Sequence, residues 1–316
     1  MGLPLPTGGG HLYFVSEERL SFRSVTDDKA KILLESAIRD AASDATSGRI
    51  ASLVTSSARY AYSLERLRSY AYRSIDTLRY QSRQGSFDNI YFERKFDFAG
   101  FRGTIDRSDE AVTDSGIFID IIDYKTGSKT FDPERIYHGL DIQLPLYMSA
   151  ALDMRGTSVK GRIVRPAGLF YYHVDDPIVE GTRNSGADEI TDAIHKELRL
   201  RGVVNADMEA VRAFDKNLSD GGKSVVIPVG FKKDGAPEAS ARLYTEEQLK
   251  GMMGHTLRLS DELRQRIAGG DVSRSPYQLD GRTGCDYCAY KAICDGGRKK
   301  KLEKHDFPDI WSDADA

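Results

Sequence analysis

The chain contains few cysteines for its length. Only 3 of its 316 residues are cysteine, at positions 285, 288 and 294. Three cysteines confined to one short stretch cannot form the several disulfides that hold small secreted domains together. Their scarcity excludes a disulfide framework as the main source of stability and favours a reducing compartment.

Long apolar runs and an excess of basic residues are also missing. No stretch approaches the roughly 20 apolar residues that a membrane-spanning helix needs. The opening residues, MGLPLPTGGG, lack the basic and apolar regions of a signal peptide, so we expect neither a membrane partner nor secretion. The formal net charge is −3, which argues against a protein that binds nucleic acid through bulk charge alone.

The most informative stretch is 117–125, a run of β-branched and aromatic residues that ends in Asp-Tyr-Lys. Side chains alternate along a strand, so Asp123 and Lys125 share one face with Ile117, Ile119 and Ile121. A carboxylate and an ammonium at the end of an apolar face need partners, a metal or solvent. The pattern therefore indicates more than a structural strand.

A second carboxylate comes from the preceding strand. Asp114-Ser115 has turn chemistry, and a chain reversal there places Asp106 opposite Asp123. Directly opposed side chains have Cβ atoms about 5 Å apart, and two carboxylates that close repel unless a proton or a cation lies between them. We therefore expect a site for an oxygen-seeking divalent ion, Mg²⁺ or Mn²⁺. The polar run 108–110 leaves room for a bulge that would shift this register.

An ion pair at the end of a hairpin is the alternative interpretation, since Asp-Tyr-Lys alone is a common tripeptide. The next element favours a functional site. Residues 134–154 are predicted to form one helix, in which Gln143 and Tyr147 lie four residues apart and therefore on one face. Pro145, between them, marks a first turn or a kink. Glu93, in an earlier predicted strand, is either a third acidic group of the site or an ordinary surface residue.

These elements occur in an order that resembles the PD-(D/E)XK nucleases of the RecB type. The match comprises a strand with an aspartate, a strand ending in Asp-x-Lys, and a helix with Gln-x-x-x-Tyr. The resemblance implies metal-dependent hydrolysis of phosphodiester bonds in DNA. It implies roles for these residues: metal binding by Asp106, Asp123 and the Tyr124 carbonyl, positioning of the attack by Lys125, and contact with the DNA backbone by Gln143 and Tyr147. It also implies a metal-binding histidine ahead of the core, for which His11 is the candidate.

The cysteines follow a C-x₂-C-x₅-C pattern, Cys285, Cys288 and Cys294, which can grip a metal or a cluster. Zinc and a [4Fe–4S] cluster both usually take four ligands, and His305 is the nearby candidate for a fourth zinc ligand. Three cysteines after a nuclease core also resemble the AddB family of AddAB-type helicase–nucleases. That resemblance implies a [4Fe–4S] cluster, an AddA-like helicase–nuclease subunit as partner, and a bacterial cytoplasmic location. The fourth cysteine of that family lies upstream of the core. None stands there in this chain, which implies an incomplete cluster.

We expect an α/β fold of the restriction-endonuclease-like type, with a mixed central sheet flanked by helices and a C-terminal cysteine loop. Four segments are predicted: a helical N-terminal part over 1–87, a nuclease core over 88–178, an insertion with the cysteine segment over 179–295, and a tail over 296–316. Strands are predicted at 91–96, 98–107, 168–174, 225–231 and 242–244, with a helix from 245 to 268 ended by Gly269-Gly270.

Two rival functions remain at this point. The first is a CRISPR-associated exonuclease, which combines the same core with cysteines. The second is a non-catalytic DNA-binding or scaffold subunit that keeps the core as architecture. The intact Asp106, Asp123 and Lys125 argue against the second, because a scaffold does not require them.

Overall fold

A computed structural model describes residues 22–45, 57–159, 161–181, 186–294, 296–297 and 299–312. The chain divides into two compact units, one made of Met1–Phe131 with Tyr147–Glu246 and the other of Asp132–Leu146 with Glu247–Ala316. None of the helices within the described ranges is both long and apolar enough to cross a membrane. The predicted ends of the four segments stay predictions.

The first unit is built on a six-stranded sheet whose strands follow one another in chain order. Two neighbouring pairs are parallel, the third strand with the fourth and the fifth with the sixth, and the others are antiparallel. This is the mixed sheet that the sequence predicted. The strands are β1 (Asp88–Phe98), β2 (Phe101–Thr113), β3 (Gly116–Lys125), β4 (Val164–His173), β5 (Arg201–Asn205) and β6 (Leu243–Tyr244).

Two tight turns set the register of the first three strands. Ala99 and Gly100, with φ of 50° and 77°, form the two-residue turn between β1 and β2, as positive φ at both central positions requires. Asp114 and Ser115 form the turn between β2 and β3, and pairing runs unbroken from Thr113 opposite Gly116 to Arg107 opposite Ile122. The predicted reversal is therefore confirmed. The predicted bulge is absent from this pair of strands, and the irregularity lies instead between β1 and β2, at residues 89–91.

Helices cover this sheet, and the core of the first unit lies beneath them. The core contains Leu78, Phe118, Phe170, Tyr172 and Phe214, each at most 4% exposed. Ser57 caps the longest helix by accepting the Tyr60 N–H at 3.1 Å. The helices are α1 (Asp27–Ala45), α2 (Ala58–Gln84), α3 (Pro133–Tyr137), α4 (Gln143–Ser158), α5 (Ala187–Glu197), α6 (Met208–Phe214) and α7 (Glu246–Ala268).

The second unit contains α3, most of α7 and a small sheet. That sheet has the order β8, β7, β9, formed by β7 (Tyr277–Leu279), β8 (Arg282–Thr283) and β9 (Lys300–Lys301). A 3₁₀ turn, Asp309–Trp311, follows. The end of α7 at Ala268 matches the prediction, with Gly270 at φ 75° just beyond it.

Two predictions about local structure were wrong, and one strand was not predicted. The single helix over 134–154 is two helices, because Gly139 adopts φ 71° directly after α3. Residues 225–231 form no strand, because the Ser224 hydroxyl accepts the N–H groups of Val226 and Ile227 at 3.1 and 3.3 Å and competes with a ladder. The short buried strand β5 was missed. The candidate His11 lies outside the described residues.

Candidate active site

Three acidic residues lie in a row across β1, β2 and β3. The register of the β2–β3 hairpin ends with Arg107 opposite Ile122, so Asp106 and Asp123 are the residues that directly follow the last pair. On the other side, Phe92 pairs with Arg107 and Arg94 with Ile105, so Glu93 stands opposite Asp106. Glu93 has a left-handed φ of 46°, a conformation that costs energy for any residue with a Cβ atom. The structure thus brings Glu93 beside the predicted pair rather than leaving it on the open surface.

The electrostatics of the row show a concentration of negative charge in a partly dry place. Burial raises the pKa of Asp123, and the neighbouring Asp106 raises it further, while Lys125 lowers it. Burial likewise raises the pKa of Asp106, opposed by the Tyr124 N–H and by Lys125. The pKa of Glu93 is raised by burial and by Asp106. All three shifts have the sign expected where carboxylates crowd together away from water.

Main-chain and side-chain groups hold the pair in place. The Tyr124 N–H donates to Asp106 Oδ2 at 3.0 Å. Lys125 forms an ion pair with Asp123, whose side chain is 1% exposed while that of Lys125 is 24% exposed. The carboxylate is therefore fixed inside, whereas the ammonium that faces it reaches solvent.

Lys129 is a further cation that the sequence did not reveal. Its ammonium lies 5.0 Å from the centre of the Tyr171 ring, and that of Lys125 lies 5.6 Å from the same ring. Lys129 also lowers the pKa of Asp123. Its four-residue spacing from Lys125, across Thr-Gly-Ser, was the available signal. The turn that brings it back cannot be derived from spacing alone.

The donor set of the row fits a hard divalent cation. Asp106 and Asp123 offer carboxylate oxygens from neighbouring strands. Burial raises the pKa of both, and the charge of Asp106 raises that of Asp123 further, so a cation between them would be favoured. Mg²⁺ and Mn²⁺ prefer such oxygen ligands. The Tyr124 carbonyl stays a predicted third ligand.

The predicted helical pair lies at the start of α4, where Pro145 occupies the first turn. Gln143 and Tyr147 are half-buried, whereas Leu144 and Met148 beside them are buried. Tyr147 packs edge-on against Phe96 of β1, with ring centroids 5.5 Å apart. Its ring thus has a structural contact besides the contact with DNA predicted for it.

A basic cleft of about 320 Å³ lies at β5, two strands from Asp123. Its lining includes Lys196, Arg199, Arg201 and Arg242, with Glu197 as the acidic member. Asp123 pairs with Tyr171, and Tyr171 with Arg201. Since neighbouring strands are about 4.8 Å apart, the Cα atom of Arg201 lies about 10 Å from that of Asp123. The sequence analysis did not find these residues, although four of the seven residues in 196–202, KELRLRG, are charged.

The cysteines do not supply a complete cluster site. Cys285 is half-buried, and Cys288 and Cys294 are exposed. Within the described ranges the three thiols do not converge to ligand distance of one another, and His305 does not join them. A [4Fe–4S] cluster takes four thiolates, so these residues by themselves do not fit one.

Comparison with known proteins identifies a family and several similar proteins. A family model described as the PD-(D/E)XK nuclease superfamily matches residues 20–295. The similar proteins are named as B subunits of ATP-dependent helicase/deoxyribonucleases. One from Lachnoclostridium phytofermentans is 33% identical over 89% of this chain and 25% of its own length. One from Clostridium acetobutylicum is 28% identical over 94% and 27%, and one from Clostridioides difficile is 34% identical over 77% and 22%. The chain spans about a quarter of the length of these relatives.

Proposed function

Because the chain belongs to the PD-(D/E)XK nuclease superfamily, we propose that it hydrolyses phosphodiester bonds in DNA with Mg²⁺ or Mn²⁺ at the acidic row. One observation carries the proposal: Asp106 and Asp123 directly follow the last pair of the β2–β3 ladder and lie close enough to interact, and Lys125 is paired to the more buried of them. Two carboxylates beside an ammonium can bind a metal ion and a phosphate at the same site.

The residues of the acidic row and the neighbouring Lys125 have different proposed roles. Asp106 and Asp123 hold the cation, with the Tyr124 carbonyl as a third oxygen. A bound divalent cation supplies Lewis acidity, which lowers the pKa of a water and offsets phosphate charge. Lys125 orients the attacking water and neutralises charge on the phosphate as the bond breaks. Glu93 adds negative charge beside Asp106, which strengthens the preference for a cation at this place.

The basic cleft supports a nucleic-acid substrate. Lys and Arg side chains that neutralise phosphates supply most of the sequence-independent affinity for DNA. A DNA strand bound along Arg199, Arg201 and Arg242 would extend toward Asp123, because Tyr171 pairs with Asp123 on one side and with Arg201 on the other. Gln143 and Tyr147 are proposed to contact the backbone near the cut.

We propose a larger assembly from the similarity to the B subunits of helicase/deoxyribonucleases. In this proposal the chain is the nuclease region of such a protein, works with an AddA-like helicase–nuclease subunit in the bacterial cytoplasm, and processes DNA ends for recombinational repair. The cysteine loop supplies three of the four thiolates of a [4Fe–4S] cluster, so the chain alone forms at most an incomplete one. The similarities do not favour a CRISPR-associated exonuclease or a scaffold.

The test compares two aspartates of the same strand. Asp123→Asn should lower Mg²⁺-dependent cleavage of linear DNA by about 10²–10³-fold or more, the scale of losing one preorganised electrostatic group. Asp120→Asn is the matched control, because it removes a carboxylate from β3 that lies outside the row, and cleavage should stay at the parental rate. Equal rates for Asp123→Asn and the parent would overturn the assignment. Gel assays with Mg²⁺, Mn²⁺ and EDTA measure the rates.

A further inference from the structure

A second set of metal donors lies in the second unit and takes no part in the acidic row. Glu134, His138 and His305 present a carboxylate oxygen and two imidazole nitrogens, all within 4.8 Å of one another. The His305 Nδ1 lies 2.8 Å from Glu134 Oε1, and the His138 Nε2 lies 3.1 Å from the same oxygen. Two histidines and a glutamate are a frequent ligand set for zinc.

The local sequence places two of these donors on one face. Asp132 caps α3 by accepting the N–H groups of Glu134 and Arg135 at 3.0 and 3.3 Å. Gly139, with φ 71°, stops the helix directly after His138. Glu134, in the first turn of α3, and His138, at its C-terminal cap, are therefore four residues apart, which is the spacing that brings side chains together.

The third donor is brought in by the main chain. The His305 N–H donates to Glu134 Oε2 at 3.0 Å, which aligns the imidazole with the carboxylate. The Glu303 carbonyl oxygen lies 2.7 Å from His138 Nε2. This carbonyl is a fourth donor, so the set has the number of ligands that a closed structural zinc site requires.

The spacing of the donors is close to what zinc needs. Bonds of about 2.1 Å in a tetrahedron put ligand atoms about 3.4 Å apart. The contacts here measure 2.7, 2.8 and 3.1 Å. A shift of a few tenths of an ångström per atom would open the set around an ion.

Aromatic rings shield the donors from water. The Tyr137 ring centroid lies 4.1 Å from that of His305 and 4.6 Å from that of His255. Phe307 and Trp311 pack against the same tyrosine. The side chains of Glu134 and His138 are 13% exposed and that of His305 is 19% exposed. An apolar shell of this kind limits solvent access and strengthens metal–ligand interactions.

We propose that Glu134, His138, His305 and the Glu303 carbonyl form a structural zinc site that fastens the C-terminal segment 303–311 to α3. The inference goes beyond the proposed nuclease reaction and does not depend on it. Without an ion, the same groups would form a hydrogen-bonded cluster in which the His305 imidazole donates to Glu134 and the His138 imidazole donates to the Glu303 carbonyl. The two states differ in metal content and in stability, and both quantities can be measured without an activity assay.

The experiment uses the full chain with all three cysteines alkylated, so that thiols bind no zinc, and with excess Mg²⁺ to occupy oxygen-ligand sites. Isothermal titration with Zn²⁺ should give one site per chain, and a thermal melt should show a higher Tm with zinc. Alkylated His305→Ala should bind Zn²⁺ at least about 100-fold more weakly, since even partners outside the ligand set cost 10–100-fold. His255→Gln is the matched control, because it removes a histidine from the same aromatic cluster but none of the donors, and its affinity should equal that of the parent.

A variant that keeps a ligand protects the test against simple misfolding. His305→Asp offers a carboxylate in place of the imidazole and should recover part of the zinc affinity that His305→Ala loses. Co²⁺ should give the absorption of a tetrahedral site with nitrogen and oxygen ligands. An alkylated parent that binds no zinc, or a His305→Ala variant that binds it as tightly as the parent, would overturn the proposal.

Discussion

Two pairs of aspartates on the β2–β3 hairpin differ in the basic group that neutralises them. Asp106 and Asp123 directly follow the last pair of the β2–β3 ladder, whereas Asp109 is opposite Asp120 within it. Asp106 is three residues from Asp109 along β2, so the two pairs lie on opposite faces of the sheet. The second pair is closed by a guanidinium: the Arg107 Nε lies 2.8 and 3.0 Å from the two oxygens of Asp109. The first pair is closed by Lys125, which reaches solvent. The buried Arg107 makes the second pair part of the core, whereas the partly exposed Lys125 leaves the first pair accessible to a ligand.

The structural pair also shows how the interior tolerates an extra carboxylate. The Asp109 N–H donates to Asp120 Oδ1 at 3.0 Å, and both residues are at most 2% exposed. Burial and the neighbouring Asp109 raise the pKa of Asp120 well above its usual range. Arg107 neutralises Asp109, and the raised pKa of Asp120 favours its protonated, neutral form. In the acidic row, the proposed cation takes the place of both.

The largest effect is expected where the arginine loses its partner. Asp109→Ala should lower the free energy of unfolding by about 3–5 kcal/mol, because it leaves Arg107 buried without its bidentate carboxylate. Asp97→Ala is the matched control, since its ion pair with Arg102 joins side chains that are 63% and 85% exposed and should cost under about 1 kcal/mol. Chemical denaturation measures both. Similar losses in the two variants would contradict the distinction between buried and exposed pairs.

The next effect concerns the movable partner. Lys125→Ala should reduce cleavage by about 10²-fold, equivalent to about 2.7 kcal/mol in the barrier, while Mn²⁺ still binds because an ammonium is no ligand. Rates under saturating metal and a Mn²⁺ titration separate the two properties. Lys95→Ala, an exposed lysine on β1, should leave both unchanged. Loss of Mn²⁺ binding in Lys125→Ala would show that Lys125 supports the metal site itself.

A smaller effect is expected at Asp120. Its folded pKa is raised, so the folded state binds more protons than the unfolded state, and stability falls as pH rises from the unfolded pKa of about 4 toward the folded pKa. Asp120→Asn keeps an oxygen for the Asp109 N–H and removes the titration. Its free energy of unfolding should lie within about 1 kcal/mol of the parent at pH 4, with the difference turning in favour of the variant as pH rises. Denaturation curves at several pH values test this, and a parallel pH dependence in both proteins would contradict it.

The smallest effect is expected in the basic cleft. Arg201→Gln removes one of the cations that line it and should weaken binding of DNA of any sequence, lowering the slope of log affinity against log salt by about 1. Arg212→Gln, on the exposed side of α6 and outside the cleft lining, is the control and should keep the parental slope. Fluorescence anisotropy with Ca²⁺ in place of Mg²⁺ measures binding. An unchanged slope for Arg201→Gln would exclude the cleft as a phosphate contact.

The parts of the site that lie close together in sequence were predictable. The turn at Asp114-Ser115 and the two-residue period of a strand are local properties, and together they place Asp106 opposite Asp123. The break at Gly139 was not predictable from helical periodicity, because 134–154 keeps an apolar repeat through a glycine that adopts positive φ. Strand β5 escaped notice because five residues carry too little pattern to stand out from the helices around them.

The sequence by itself determined the mixed α/β architecture, the register of the β2–β3 hairpin and the identity of its acidic pair, since each depends on turns and alternation over a few dozen residues. Only the tertiary structure decided that Lys129 approaches Asp123 and that Arg201 lies two strands from it. It also decided that His305 lies on Glu134, 171 residues earlier, rather than among the cysteines beside it in sequence. Contacts across such separations depend on how whole elements pack, and packing is a property of the assembled core rather than of any local pattern.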